Sequence, residues 1–302
     1  MNTFLYFRPQ SLDEVITLLV RYGREARLLA GGTDLLVQMR HDLIAPQVVI
    51  DLKRVAELRA DVQLLDGALR IGALTVLSDL IEDARVQQYF PALVEAASVV
   101  GSVQIRNRAT LSGNICNASP AADTAPALLI YDAQVNLIGP DGRRTVALRR
   151  FFLGPRKTVL QQGELVEAID LPLPREASGA AFTRLTRRRG VDLATVNAAC
   201  LARRSDGVLF AFGAVAPTPI LVPVSDNRLL VTSLDAAIRR AILDEVAAHT
   251  SPISDVRASR EYRLAMVKVM AKRALEVALQ RLTAAEAQLS PCSLSDNLWR
   301  RT

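Results

Sequence analysis

Cysteine and histidine are scarce in this chain of 302 residues: three cysteines, Cys116, Cys200 and Cys292, and two histidines, His41 and His249. Three widely spaced thiols make no CxxC…CxxC zinc motif, cannot supply the four thiolates of an iron–sulfur cluster, and argue against a disulfide framework. A Ser–His–Asp triad or a histidine-rich metal site would have to use His41 or His249. Neither sits in such a context, and both are expected to be ordinary surface or core side chains. Aromatic residues are only 5% of the chain, so a stacking platform for single-stranded nucleic acid is poorly supplied. No run of eighteen apolar residues occurs, and no membrane-spanning helix is expected. The stretch Met1 to Pro9 lacks a basic region followed by an apolar run and a small-residue cleavage site. No signal peptide is expected there, and the cytoplasm is the expected location.

Half of the residues are apolar, which argues against long disorder. The length suits two domains with a proper core. So high an apolar share reads either as a large core or as buried partner interfaces. The net charge is +6 and the pI about 9.6, but the basic residues are scattered. The one dense run, Arg187-Arg188-Arg189, reads as a solvated face or a docking surface for an acidic partner rather than a nucleic-acid site.

Two small-residue turns, roughly eighty residues apart, stand out. The first is Leu28-Leu29-Ala30-Gly31-Gly32-Thr33-Asp34-Leu35. The second runs from Arg106 through Thr110, Gly113, Asn114 and Asn117 to Ser119-Pro120-Ala121-Ala122-Asp123. Glycine lacks a Cβ and lets backbone N–H groups approach an anion closely. Each feature alone has a plain structural reading. Gly31-Gly32 can be a tight turn, Asn114 and Asn117 can satisfy loop backbone, and Asp123 can cap a following helix. Together they suggest one ligand with a phosphate end and a polar, sugar-like middle.

The surrounding pattern is α/β. A helix from Ser11, with Glu14 completing a capping box, runs to Gly23. Arg27 to Ala30 reads as a buried strand, Asp34 as the cap of a helix through about Met39, and Val48 to Leu52 as another strand. A strand at 67–75 and helices at 78–84 and 91–99 follow. The segments 133–138 and 143–148 flank Gly139-Pro140-Asp141-Gly142, a hairpin signal. A strand at 164–171 is stopped by Pro172 and Pro174, and 175–179 is the best linker. Strands are expected at 181–187, 194–203 and 208–215, then helices at 234–249 and 259–289.

These motifs resemble the medium, FAD-binding subunit of the molybdenum hydroxylases, the family of xanthine dehydrogenase and carbon monoxide dehydrogenase. The resemblance runs from about Phe4 to Leu289. It is carried by Ala-Gly-Gly-Thr-Asp-Leu, by Arg-Asn-x-Ala-Thr-x-x-Gly-Asn-Ile, and by Ser-Pro-x-x-Asp. It implies an α+β chain: a vanillyl-alcohol-oxidase (PCMH)-type FAD-binding domain at 1–174, in two α/β subdomains at about 1–55 and 56–174. A smaller α+β C-terminal domain at 179–289 and a tail at 290–302 follow. It implies that Leu29, Ala30, Gly31, Gly32, Thr33, Asp34 and Leu35 wrap the FAD pyrophosphate. Thr110, Gly113, Asn114 and Asn117 bind from the second turn, Asp123 accepts from ribityl hydroxyls, and Val166 packs near the isoalloxazine. Arg184, where many relatives carry lysine, reads as a flavin contact or a surface ion pair. An inward Asp34 carboxylate would repel phosphate, so Asp34 is expected to point away and cap its helix. Leu193 stands where carbon monoxide dehydrogenase subunits carry an aromatic residue. The iron–sulfur insertion of benzoyl-CoA-type reductase subunits is absent.

The family further implies an electron-transfer role. A molybdenum cofactor on a large subunit and two [2Fe-2S] clusters on a small subunit would feed FAD here, within a dimer of heterotrimers. The acceptor would be a small molecule: NAD, oxygen or a quinone. The competing reading is a stand-alone FAD-dependent reductase of similar fold, which would need its own base or proton donor near the flavin.

Overall fold

The computed structural model describes residues 2–231 and 233–289. The tail expected at 290–302, with Cys292, lies outside the described residues. The N-terminal unit holds β1 (Leu5–Phe7), α1 (Leu12–Tyr22), β2 (Ala26–Leu29), α2 (Leu35–Arg40) and β3 (Val48–Asp51). Its strands form a parallel sheet of order β1-β3-β2. All four β3 residues are buried, as a central parallel strand covered on both faces requires. Ser11 caps α1, its Oγ accepting from the Glu14 N–H at 3.3 Å. The Glu14 carboxylate takes the Gln10 N–H at 2.9 Å, one residue earlier than in a standard capping box. Leu12, Val15 and Leu19 turn the apolar stripe of α1 onto Val48 and Ile50.

Asp34 departs from expectation. It precedes α2 in a helical conformation, with a φ of −95°, and its side chain makes no capping bond. A capping side chain needs an extended residue at that position to fold back on the first turn.

The second unit holds β4 (Val62–Leu65), β5 (Ala68–Gly72), α3 (Leu77–Glu82), α4 (Ala84–Tyr89), α5 (Pro91–Ser98), α6 (Val103–Arg106), α7 (Leu111–Cys116) and α8 (Thr124–Ile130). It closes with β6 (Gln134–Gly139), β7 (Gly142–Ala147), β8 (Phe152–Gly154), β9 (Lys157–Thr158) and β10 (Leu165–Pro172). Five strands form an antiparallel sheet, β4-β5-β10-β6-β7, with β10 at its centre. The 134–147 hairpin forms as its turn residues indicate, Gly142 having a φ of +99°. The second turn contains a short helix: Thr110 caps α7, its Oγ1 accepting from the Gly113 N–H at 3.0 Å.

In the C-terminal part, β11 (Ser178–Leu185), β12 (Val196–Arg203), β13 (Gly207–Gly213) and β14 (Ile220–Val224) form an antiparallel meander. The strand β14 was not expected. Two helices, α9 (Ala236–Ala248) and α10 (Arg260–Leu289), pack on one face around Phe210, Phe212 and Leu275. The other face belongs to a different core. Ala180, Phe182, Ala199, Leu201 and Ala211 join Leu93, Leu128 and Leu129 of the second unit. The meander is thus covered by apolar surface on both sides, which explains why seven of the eight β12 residues are buried.

Candidate functional site

The first glycine turn leaves β2 and enters α2; the second precedes and contains α7. They touch: a Cβ on Gly31 would collide with the Arg108 carbonyl oxygen. Gly32 has a φ of +78°, in the left-handed region that favours glycine. Between the turns lies a cleft of about 750 Å³. Twelve of the fourteen residues assigned above to cofactor binding line it: Ala30, Gly31, Gly32, Thr33, Asp34, Leu35, Thr110, Gly113, Asn114, Asn117, Asp123 and Val166.

Two do not. Leu29 ends β2, and its side chain packs beneath Gly32, where a Cβ would meet Leu29 Cδ1 at 2.7 Å. Arg184 stands behind the wall with its side chain 11% exposed, so it forms a buried ion pair rather than a surface one. Its Nη1 donates to Asp123 Oδ2 at 2.7 Å and to the Val99 carbonyl at 2.8 Å.

The donor set suits an anion followed by a polyol. No acceptor takes the backbone N–H groups of Gly32, Thr33, Asp34 and Leu35 among the described residues. Such N–H groups can hold a pyrophosphate without a buried lysine. The Ser112 hydroxyl lines the cleft, is buried, and has no hydrogen-bond partner among the described residues. A buried hydroxyl left unpaired is costly unless a ligand completes it. Leu160, Leu165 and Val166 add aliphatic wall. The residues present therefore fit FAD.

Charge within the cleft is less simple. Burial pushes the Asp34 carboxyl above the usual range, while Arg156 pulls it back. Asp34 lines the cleft and makes no helix-cap bond. Burial likewise pushes Asp123 up, opposed by Arg184 and by a hydrogen bond from Asn197. Burial pushes the Cys116 thiol up to about 12, consistent with a packing role.

Other residues at the site were not foreseen. Gln38 lines the cleft and its Nε2 donates to Asn117 Oδ1 at 3.4 Å. The loop after β11 reaches over with Arg188, Val191, Asp192 and Leu193. Leu193 is 59% exposed there. Asn197, fully buried on β12, contacts Asp123 from the far side. Its signal in the sequence was a lone amide within an apolar strand.

Known proteins resemble this chain along most of its length. A family model described as the FAD binding domain in molybdopterin dehydrogenase matches residues 2–174. One described as the CO dehydrogenase flavoprotein C-terminal domain matches 180–278. The chain is 37% identical over 279 residues to the xanthine dehydrogenase FAD-binding subunit of Escherichia coli O157:H7, covering 91% of this chain and 95% of that one. It is 36% identical over 282 residues to the carbon monoxide dehydrogenase medium chain of Hydrogenophaga pseudoflava, covering 92% and 98%. The chain is thus about equally similar to a xanthine dehydrogenase and a carbon monoxide dehydrogenase subunit. A solved carbon monoxide dehydrogenase from Hydrogenophaga pseudoflava, in a form lacking the Mo-pyranopterin moiety of the molybdenum cofactor, has a similar chain. It superposes with a TM-score of 0.87 at 35% identity, covering 93% of this chain and 98% of that one. This chain belongs to the family of FAD-binding medium subunits of molybdenum hydroxylases.

Proposed function

We propose that the chain is the electron-relay subunit of a heterotrimeric, cytoplasmic molybdenum hydroxylase. A large subunit with the molybdenum cofactor oxidises the substrate. A small subunit with two [2Fe-2S] clusters carries electrons to this chain, which delivers them to NAD, oxygen or a quinone. The observation that carries the reading is the meeting of both glycine turns and Asp123 on one cleft. Among the described residues no group of histidine, cysteine and carboxylate side chains could hold a metal, and no helix is long and apolar enough to cross a membrane.

Bound FAD supplies the exchange between single electrons and electron pairs. The chain's own residues bind and orient. The N–H groups from Gly32 to Leu35 take the pyrophosphate. Thr110, Gly113, Asn114 and Asn117 line the middle, and Asp123 accepts from ribityl hydroxyls. Val166, on the central strand β10, walls the ring system and excludes water.

The test is purification of the chain with its natural partners, followed by a visible spectrum and metal analysis. The expected outcome is flavin together with iron, molybdenum and two further chains. Flavin on a lone chain without metals overturns the relay reading in favour of a stand-alone reductase.

A further inference from the structure

The Asp123 carboxylate is set from behind by the C-terminal meander. Its Oδ1 accepts from Asn197 Nδ2 at 2.8 Å, and its Oδ2 from Arg184 Nη1 at 2.7 Å. The same amide reaches the Ala122 carbonyl at 3.4 Å. One residue beyond β13, the Ala214 N–H donates to the Pro120 carbonyl at 2.6 Å. Ala214 has a φ of +63° there, a left-handed conformation that costs a non-glycine residue free energy. At Gly213 beside it a Cβ would strike Asn197 Oδ1.

Asn197 is therefore costly to keep. It is fully buried in a strand whose other buried residues are apolar, and its Oδ1 has no partner among the described residues. An unpaired buried amide oxygen opposes folding. What the amide does is hold Asp123. A carboxylate has about four acceptor positions, and Asn197 and Arg184 occupy one on each oxygen. The remaining pair is left for a ligand, with the plane of the group fixed.

We infer that Asn197 is a positioning residue of the FAD site, setting with Arg184 the direction in which Asp123 faces the cleft. The C-terminal meander is on this account a constituent of cofactor binding. The inference rests on the proposed contact between Asp123 and FAD.

The test uses the full chain, purified with whatever partner chains accompany it. FAD affinity is read by quenching of flavin fluorescence, and folding by circular dichroism. Asn197→Leu removes the donor and keeps the branched shape, and Asn197→Ala removes it without overfilling the strand. Either variant is expected to weaken FAD binding by about tenfold to a hundredfold, the loss of a hydrogen bond to a charged group. The decisive reading is coupling. Added to Asp123→Ala, the Asn197 change should cost no further affinity, because its effect passes through the carboxylate. Wild-type affinity in both Asn197 variants overturns the inference, as does a loss that adds in full to that of Asp123→Ala. If Asp123→Ala alone binds FAD like the wild type, the assigned Asp123 contact fails and the inference with it.

Discussion

At Gly31, one hydrogen atom in place of a methyl group lets two turns from different units meet. Gly31→Ala would press a Cβ against the Arg108 carbonyl, an atom fixed in backbone. The expected cost is about 1–3 kcal/mol of stability, typical of overpacking, with weaker FAD binding, measured by chemical denaturation and flavin content. Asp123→Ala should lower flavin occupancy of the purified protein while leaving its circular dichroism unchanged. An unchanged flavin-to-protein ratio would remove the assigned role. The sequence made the cleft legible through residues that are ordinary singly and telling only together, Gly31, Thr110 and Asp123 above all. Asn197 was not legible, because a single amide in an apolar strand has no local pattern. The directions of the Arg184 and Asp34 side chains were not legible for a related reason: which way a charged side chain turns depends on partners distant in sequence. For Arg184 the partner lies 61 residues away.

Among the elements, α10 and the hairpin were legible, since their periods and turn residues are strong over many positions. The helix α7 was not. Six residues are too few to show a period, and Gly113 and Asn114 read as breakers. The position of α10 depends on Gly179, where a Cβ would collide with the Ala278 carbonyl. Gly179→Ala is expected to push α10 off β11 and lower stability by about 1–3 kcal/mol, visible as a reduced denaturant midpoint. The start of α10 depends on an ion cluster. Asp255 accepts from Arg257 and, at 2.7 Å, from Arg263, whose side chain is 1% exposed. Burial alone would raise the Asp255 carboxyl, but hydrogen bonds from Arg257 and Arg263 hold it well below the usual range. A depressed folded value means that its stabilisation is full above the ordinary carboxylate pKa of about 3.9 and is lost as pH falls through the lower folded value. The melting temperature should therefore drop as pH is lowered below about 4. Asp255→Asn should flatten that drop while costing about 3–5 kcal/mol near neutrality, since the buried Arg263 loses its counter-charge.

Across the whole molecule, the five-stranded sheet and the meander share one hydrophobic core, so they are expected to melt in a single transition by calorimetry. FAD at a hundred times its dissociation constant should raise the stability of that transition by about 2.7 kcal/mol. The same addition should do less for Asp123→Ala.

The order in which the chain leaves the ribosome gives this architecture a temporal side. Both glycine turns emerge early, yet Leu165 and Val166, which wall the cleft, come some fifty residues after α7. The partner of Asp123 on β12 follows it by 74 residues, and the N–H that anchors Pro120 belongs to Ala214. A nascent chain stopped at the end of the second unit would carry every glycine of the cleft and still hold Asp123 in no fixed direction. If the meander sets Asp123 for the cofactor, flavin loading is expected only after the meander is translated, and truncations that end before Ala214 should emerge from cells colourless.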